Sequence, residues 1–351
     1  PLLLQSVKQE ISRLLVAHFI TPVPFMPNLS LHPIWHTLMP TYQHAVGVGT
    51  HTLSAFAFFL MITKTRTPGK PFARYLMILQ ASITLVDLNF GFLASPIGLY
   101  PIPGGLCNGV LCTVFGLNGH YGITLMFITV AFVAVSVLFC FHFKFIIILA
   151  MSKHQTVPMI NRVFFRVIIL VIYSIPCFIH MTIRRNYYPS LTYLFENPNY
   201  RTFVYDLTLY PANTIALATT TIVYFRIMIS AIIIAFFLVF RSFYLLSRQS
   251  STMSEKTRKM QRTLMMVVQT LVPLTIQLTP LLVYAYSMIA VALTPDMNNC
   301  IFCFQMTHAF VHTAIVILTT PSYREPLILW LERLAQERPV CVSYVTSYAC
   351  C

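Results

Sequence analysis

Gly122-Ile-Thr-Leu-Met-Phe-Ile-Thr-Val-Ala-Phe-Val-Ala-Val-Ser-Val-Leu-Phe-Cys-Phe141 contains no charged side chain and no proline. A helix needs roughly 20 such residues to cross a hydrocarbon core about 30 Å thick. Lipid offers the backbone no hydrogen bonds, so a spanning segment is either a helix or part of a closed barrel. Barrel strands alternate polar and apolar positions. This run does not alternate, so it is read as a membrane helix.

The surrounding apolar tract, 106–151, is long enough to hold one helix or two, and charge decides between them. Two spans would put the basic loops 64–74 and 241–262 on opposite sides of the membrane, against the tendency of Lys and Arg to stay inside. A single third span is therefore expected over about 110–137, with His142, Lys144, Lys153 and His154 below it. Working outward, apolar runs of the same kind place the other spans at about 42–63, 72–93, 163–181, 217–240, 264–290 and 301–320. The fold class is all-α, a polytopic membrane protein built as a bundle of seven transmembrane helices. Residues 1–40 form an extracellular segment, 41–326 the membrane domain and 327–351 a cytoplasmic tail. Five prolines between Pro22 and Pro40 make 22–40 a poor helix. The chain starts at Pro1 and not at a methionine, which points to an upstream segment.

Composition agrees. Charged residues make up 9% of the 351-residue chain and apolar residues 57%, against about 25% charge in an ordinary soluble domain. The net charge of +14 would suggest nucleic acid in a soluble protein. Here the cations cluster between spans, which points to topology and anionic lipid and away from nucleic acid. With the N-terminus outside, inner segments hold 16 of the 23 basic residues and outer segments 5, the remaining Arg166 and Arg226 falling inside spans. The chain therefore runs N-terminus out and C-terminus in, and Asn28, in the sequon Asn28-Leu-Ser30, is a glycosylation candidate.

Two local patterns carry a resemblance. Pro71-Phe-Ala-Arg-Tyr-Leu-Met-Ile-Leu-Gln80 is followed by Asp87 and then by Pro96-Ile-Gly-Leu-Tyr-Pro-Ile-Pro-Gly-Gly-Leu-Cys-Asn-Gly-Val110. The inner end of the seventh span continues into Pro321-Ser-Tyr323-Arg324. In order and spacing these resemble the nematode serpentine chemoreceptors of the Str superfamily, closest to class I (Sri) and class H (Srh). The resemblance covers most of 40–326. It implies a G-protein-coupled receptor for environmental chemicals, sited at the plasma membrane of a sensory neuron, with a small-molecule ligand, a heterotrimeric G protein and membrane lipids as partners. The sequence departs from rhodopsin-like receptors. The inner end of the third span reads Phe139-Cys-Phe-His-Phe-Lys144 with no acidic-Arg-aromatic triplet, the seventh span has no Asn-Pro-x-x-Tyr, and loop 182–212 has no cysteine to bridge to Cys107 or Cys112.

Polar residues within spans are the functional candidates, because they are expensive there. Asp87 is the only acid inside a span. It reads either as a hydration or ion site that biases one packing over another, or as a carboxyl that joins helices by hydrogen bonds. Gln305, His308 and His312 share a helix face and, with His120 and Gln277, are candidates for lining a ligand cavity. The bland alternative is interhelical hydrogen bonding. Pro273 and Pro280 free carbonyls in the sixth span and permit bending; with Asp87 they are the switch candidates. Arg226 would contact an anionic ligand or Asp87, but snorkelling towards headgroups is favoured, as it is for Arg166. Lys144, Arg248, Lys256, Arg258, Lys259 and Arg262 are the G-protein-facing candidates. Cys341, Cys350 and Cys351 are weak candidates for palmitoylation.

Other function classes fit less well. No metal site, cofactor or catalytic group is expected: Cys300-Ile-Phe-Cys303 stands alone, and the pairs His32/His36 and His308/His312 lack the HxxHH boxes of a histidine-ligated membrane oxidase. A transporter or channel is the runner-up, weakened by the lack of a repeat between halves and by having a single intramembrane acid.

Overall fold

The computed structural model describes residues 32–65, 67–99, 104–151, 159–181, 201–204, 211–248, 283 and 294–336. Within them lie seven long helices: α1 (Trp35–Thr63), α2 (Lys70–Leu88), α3 (Gly119–Met151), α4 (Met159–Met181), α5 (Pro211–Arg248), α6 (Pro295–Thr319) and α7 (Pro321–Gln336). Among the described residues α1, α2, α3 and α6 are each long and apolar enough to cross a membrane, and α4 and α5 contain the apolar stretches Phe165–Ile175 and Ile229–Leu245. α6 carries the run read as the seventh span. The run read as the sixth lies outside the described residues.

Three boundaries differ from the sequence expectation. The long third helix begins at Gly119, not Val110, because Val110–Thr113 forms a separate turn. Gly116 between them has a φ of 64°, which reverses the chain, and the Asn118 side chain accepts from the His120 N–H at 2.9 Å and starts the new helix. The same helix continues to Met151, so His142 and Lys144 sit on it. At the other end of the bundle, α1 starts at Trp35 and includes Pro40. Burial of Trp35, Met39 and Pro40 in the core outweighs the one backbone bond that proline removes. Finally, the packed domain extends past 326, since Leu327 of α7 packs on the central core.

α3 is the central helix and packs on α2, α4 and α5, while α1 packs on α2 and α6. The half of the bundle towards the start of α2 closes around Leu60, Met61, Leu76, Leu79, Val316 and Tyr323. The opposite half closes around Trp35, Met39, Phe90, Ile97, Leu106 and Met306. Large apolar side chains point outward on the far faces, such as Phe178 at 65% exposure and Phe240 at 79%. In a soluble protein that would be a liability; in a bilayer those faces meet lipid.

A small antiparallel sheet joins loops at one end of the bundle: β1 (Pro96–Gly98), β2 (Gly104–Cys107) and β3 (Arg201–Val204), in the order β1-β2-β3. Pro96 pairs with Cys107, and Gly104 with Val204. The proline- and glycine-rich loop after α2 is thus a hairpin, extended by a strand of the 182–212 loop. Cys107 and Cys112 are disulfide-bonded to each other, so neither needs a cysteine from that loop. The free edge of β1 is closed by a side chain: Asn299 of α6 accepts from the Gly98 N–H at 3.2 Å and donates to its carbonyl at 3.3 Å.

α2 ends in a π-helical turn, Asn89–Leu93, in which the Ala94 N–H reaches back to the Asn89 carbonyl at 2.9 Å. The wider turn lets Gly91 meet Gly47 of α1, where an added Cβ on Gly91 would stand 3.4 Å from the Gly47 Cα. It also aims the Asn89 amide at the Gly122 carbonyl of α3, 3.3 Å away. Turns of this type concentrate at functional sites, and this one lies directly after Asp87.

A polar cavity between helices α2, α3 and α6

Asp87 is 4% exposed and faces a cavity. The cavity is lined from α2 by Ile83, Val86 and Phe90, from α3 by Val130 and Val133, and from α6 by Phe302, Gln305 and His308. Phe90 and Phe302 meet edge to face at 4.8 Å and 66°, forming one wall with the stacking geometry that aromatic quadrupoles prefer. The cavity volume is about 20 Å³, room for about one water molecule.

The carboxyl has no cation beside it among the described residues. Arg226 is exposed on α5, as snorkelling requires, and makes no pair with Asp87. The Thr50 hydroxyl of α1 lies beside the carboxyl, yet Thr50 Oγ1 and Asp87 Oδ2 both lack a hydrogen bond of good geometry. His308 Nε2 and His312 Nδ1 are likewise buried without a partner. The two imidazoles, one helical turn apart, have ring centroids 6.0 Å from each other. A buried polar atom left without any partner costs about 1–3 kcal/mol, so this level gains from any packing or water that supplies one.

The next level is better satisfied. The Gln80 amide donates to Ser54 Oγ at 2.9 Å and to Thr313 Oγ1 at 2.7 Å, joining α2 to α1 and α6. The Ser82 and Ser136 hydroxyls meet at 2.8 Å and join α2 to α3. Nearer the sheet, Gln43 donates to the Pro96 carbonyl at 3.0 Å and accepts from Ser95 at 2.6 Å. The polar core is therefore a ladder of interhelical hydrogen bonds, although Gln80 Oε1 and Asn89 Oδ1, like the polar atoms around Asp87, find no partner among the described residues.

Of the sequence candidates, the structure brings Asp87, Gln305 and His308 to one cavity and sets His312 one turn below. His120 is buried at the start of α3 and does not line that cavity. Lys144 is turned against α2, its ammonium 4.5 Å from the Phe72 ring centre. Arg248 is the last residue of α5. Gln277, Pro273, Pro280, Lys256, Arg258, Lys259, Arg262, Asn28, Cys341, Cys350 and Cys351 lie outside the described residues. Among the described residues no group of His, Cys, Asp and Glu is arranged to hold a metal. Sequence reasoning missed Thr50, Gln80, Asn89 and Asn299. A signal did exist for the first two: Gln80 stands two helical turns before Asp87, and Thr50 one turn before Ser54, each inside an apolar run.

The fold and its buried polar ladder define a polytopic helical membrane protein with polar side chains buried between its helices. The family model described as "Serpentine type 7TM GPCR chemoreceptor Sri" matches residues 31–327. The chain belongs to that family of serpentine chemoreceptors. No curated protein matches the chain.

Proposed function

We propose that this protein is a chemosensory receptor that binds a small environmental or pheromone-like molecule and passes the signal to a heterotrimeric G protein. In this reading it sits in the plasma membrane of a sensory cilium, with its N-terminus outside and its tail inside. The observation that carries the mechanism is the buried Asp87–Thr50–His308–His312 level, whose polar atoms Asp87 Oδ2, Thr50 Oγ1, His308 Nε2 and His312 Nδ1 make no hydrogen bond among the described residues. A level that is costly in one packing favours any packing that satisfies it, so ligand binding needs to supply only a small differential energy to shift the population. Drug-sized pockets measure about 300–1,000 Å³, far above the volume found here. In this reading the cavity couples the helices, and Gln305 and His308 line it.

The test is to express the chain with a promiscuous G protein, prove surface display, and screen volatile and pheromone-like compounds by calcium or cAMP readout. A ligand response that Asp87→Asn abolishes without loss of surface display supports the reading. Silence across a broad panel sinks it.

A further inference from the structure

Beyond the receptor reading, a second feature lies near the first turns of α2 and α4. α2 and α4 each pack on α3, which is their common floor. On that floor Phe143 stacks on Tyr75 at 4.5 Å and on Phe72 at 6.3 Å, both from α2. Two cations are held on this aromatic surface. Lys144 lies 4.5 Å from the Phe72 ring centre, and the Arg166 guanidinium of α4 lies 5.3 Å from that of Tyr75. Neither makes an ion pair among the described residues, and Arg166 Nε is buried with no hydrogen-bond partner. Snorkelling alone does not explain this, because it carries a cation head out to water. Here the ring faces hold both heads against the bundle. One helical step from each ring contact the two helices become apolar and exposed: Ile78 on α2 is 45% exposed and Leu170 on α4 is 49% exposed.

We propose that this surface between α2 and α4 seats an anionic phospholipid of the inner leaflet, its headgroup phosphate drawn to Lys144 and Arg166 and an acyl chain along Ile78 and Leu170. A phosphate oxygen accepts the strong, charge-assisted bonds that a guanidinium offers, and would complete the unpartnered Nε. A soluble anion would satisfy the cations but leave the apolar side chains bare, so an anchored lipid fits the whole surface. Lys144, a G-protein-facing candidate on sequence grounds, is then a lipid ligand.

The experiment uses the full chain in nanodiscs of phosphatidylcholine doped with phosphatidylserine, with retained lipid read by native mass spectrometry. Lys144→Gln and Arg166→Gln should each lower phosphatidylserine retention about five-fold, while Arg241→Gln, an exposed cation of α5, leaves it unchanged. No loss in the Lys144 and Arg166 variants, or equal loss in Arg241→Gln, overturns the proposal. Displacement of the lipid by equimolar glycerol phosphate overturns the lipid assignment. If the glutamine variants do not fold in pure phosphatidylcholine, Tyr75→Leu carries the test: it keeps both charges and removes one ring, and unchanged retention overturns the site. The readout involves no G protein, so a failure of the receptor reading is seen separately.

Discussion

Gln80 shows what one amide does inside a membrane. Its two hydrogen bonds tie three helices together, and interhelical bonds of this kind average about 0.6 kcal/mol each. Gln80→Leu should therefore lower stability by about 1 kcal/mol, visible as a lower unfolding temperature of the purified protein. Asp87 should behave in the opposite way. Its carboxyl is buried without a cation beside it among the described residues, and replacing an uncompensated charge by a neutral isostere removes a desolvation penalty. Asp87→Asn is expected to raise the unfolding temperature while it silences signalling. An unchanged or lower unfolding temperature would show that the carboxyl is already compensated.

Elements turn on close approaches. Gly109 sits where the turn after the β1–β2 hairpin crosses the end of α2, and an added Cβ would run into the Leu93 carbonyl. Backbone cannot give way as a side chain can, so Gly109→Ala should cost about 1–3 kcal/mol and reduce surface display. At the opposite end, α7 is docked through Tyr323, whose hydroxyl meets Thr65 Oγ1 at 2.9 Å. Burial pushes the Tyr323 phenol above its ordinary value of 10.0, with the Thr65 bond opposing in part. A raised folded value means that this stabilisation is whole below about pH 10 and is lost as pH climbs through the folded value. Protease protection of α7 should fall at high pH in the native chain, and Tyr323→Phe should remove that pH dependence.

For the whole molecule the first question is sidedness. Cys300 is exposed and Cys140 is buried. With the start of α6 outside, a membrane-impermeant maleimide applied to intact cells should label Cys300 and leave Cys140 untouched. Labelling of Cys300 only after permeabilisation would invert the proposed orientation.

Hydrophobic runs longer than 18 residues, uncharged and without alternation, were enough to define a helical membrane protein, because the backbone has no other way to satisfy itself in lipid. The Pro-Gly pattern at 96–110 was enough to suggest the family, and Asp87 stood out as the one acid in a span. The sequence also put Gln305 and His308 on one face, since spacing fixes which residues of a helix point together. It did not place that face against Asp87, because which helix faces which is settled by packing between segments hundreds of residues apart. The start of the third helix at Gly119 was equally hidden, because a glycine reversal and a five-residue disulfide loop interrupt an apolar run that hydropathy reads as continuous. Tertiary structure alone decided that Thr50, Gln80 and His312 join the polar ladder, and that Lys144 and Arg166 lie on aromatic rings. A side chain's partner in a membrane bundle is set by the shape of the neighbouring helix, and composition carries no record of that shape.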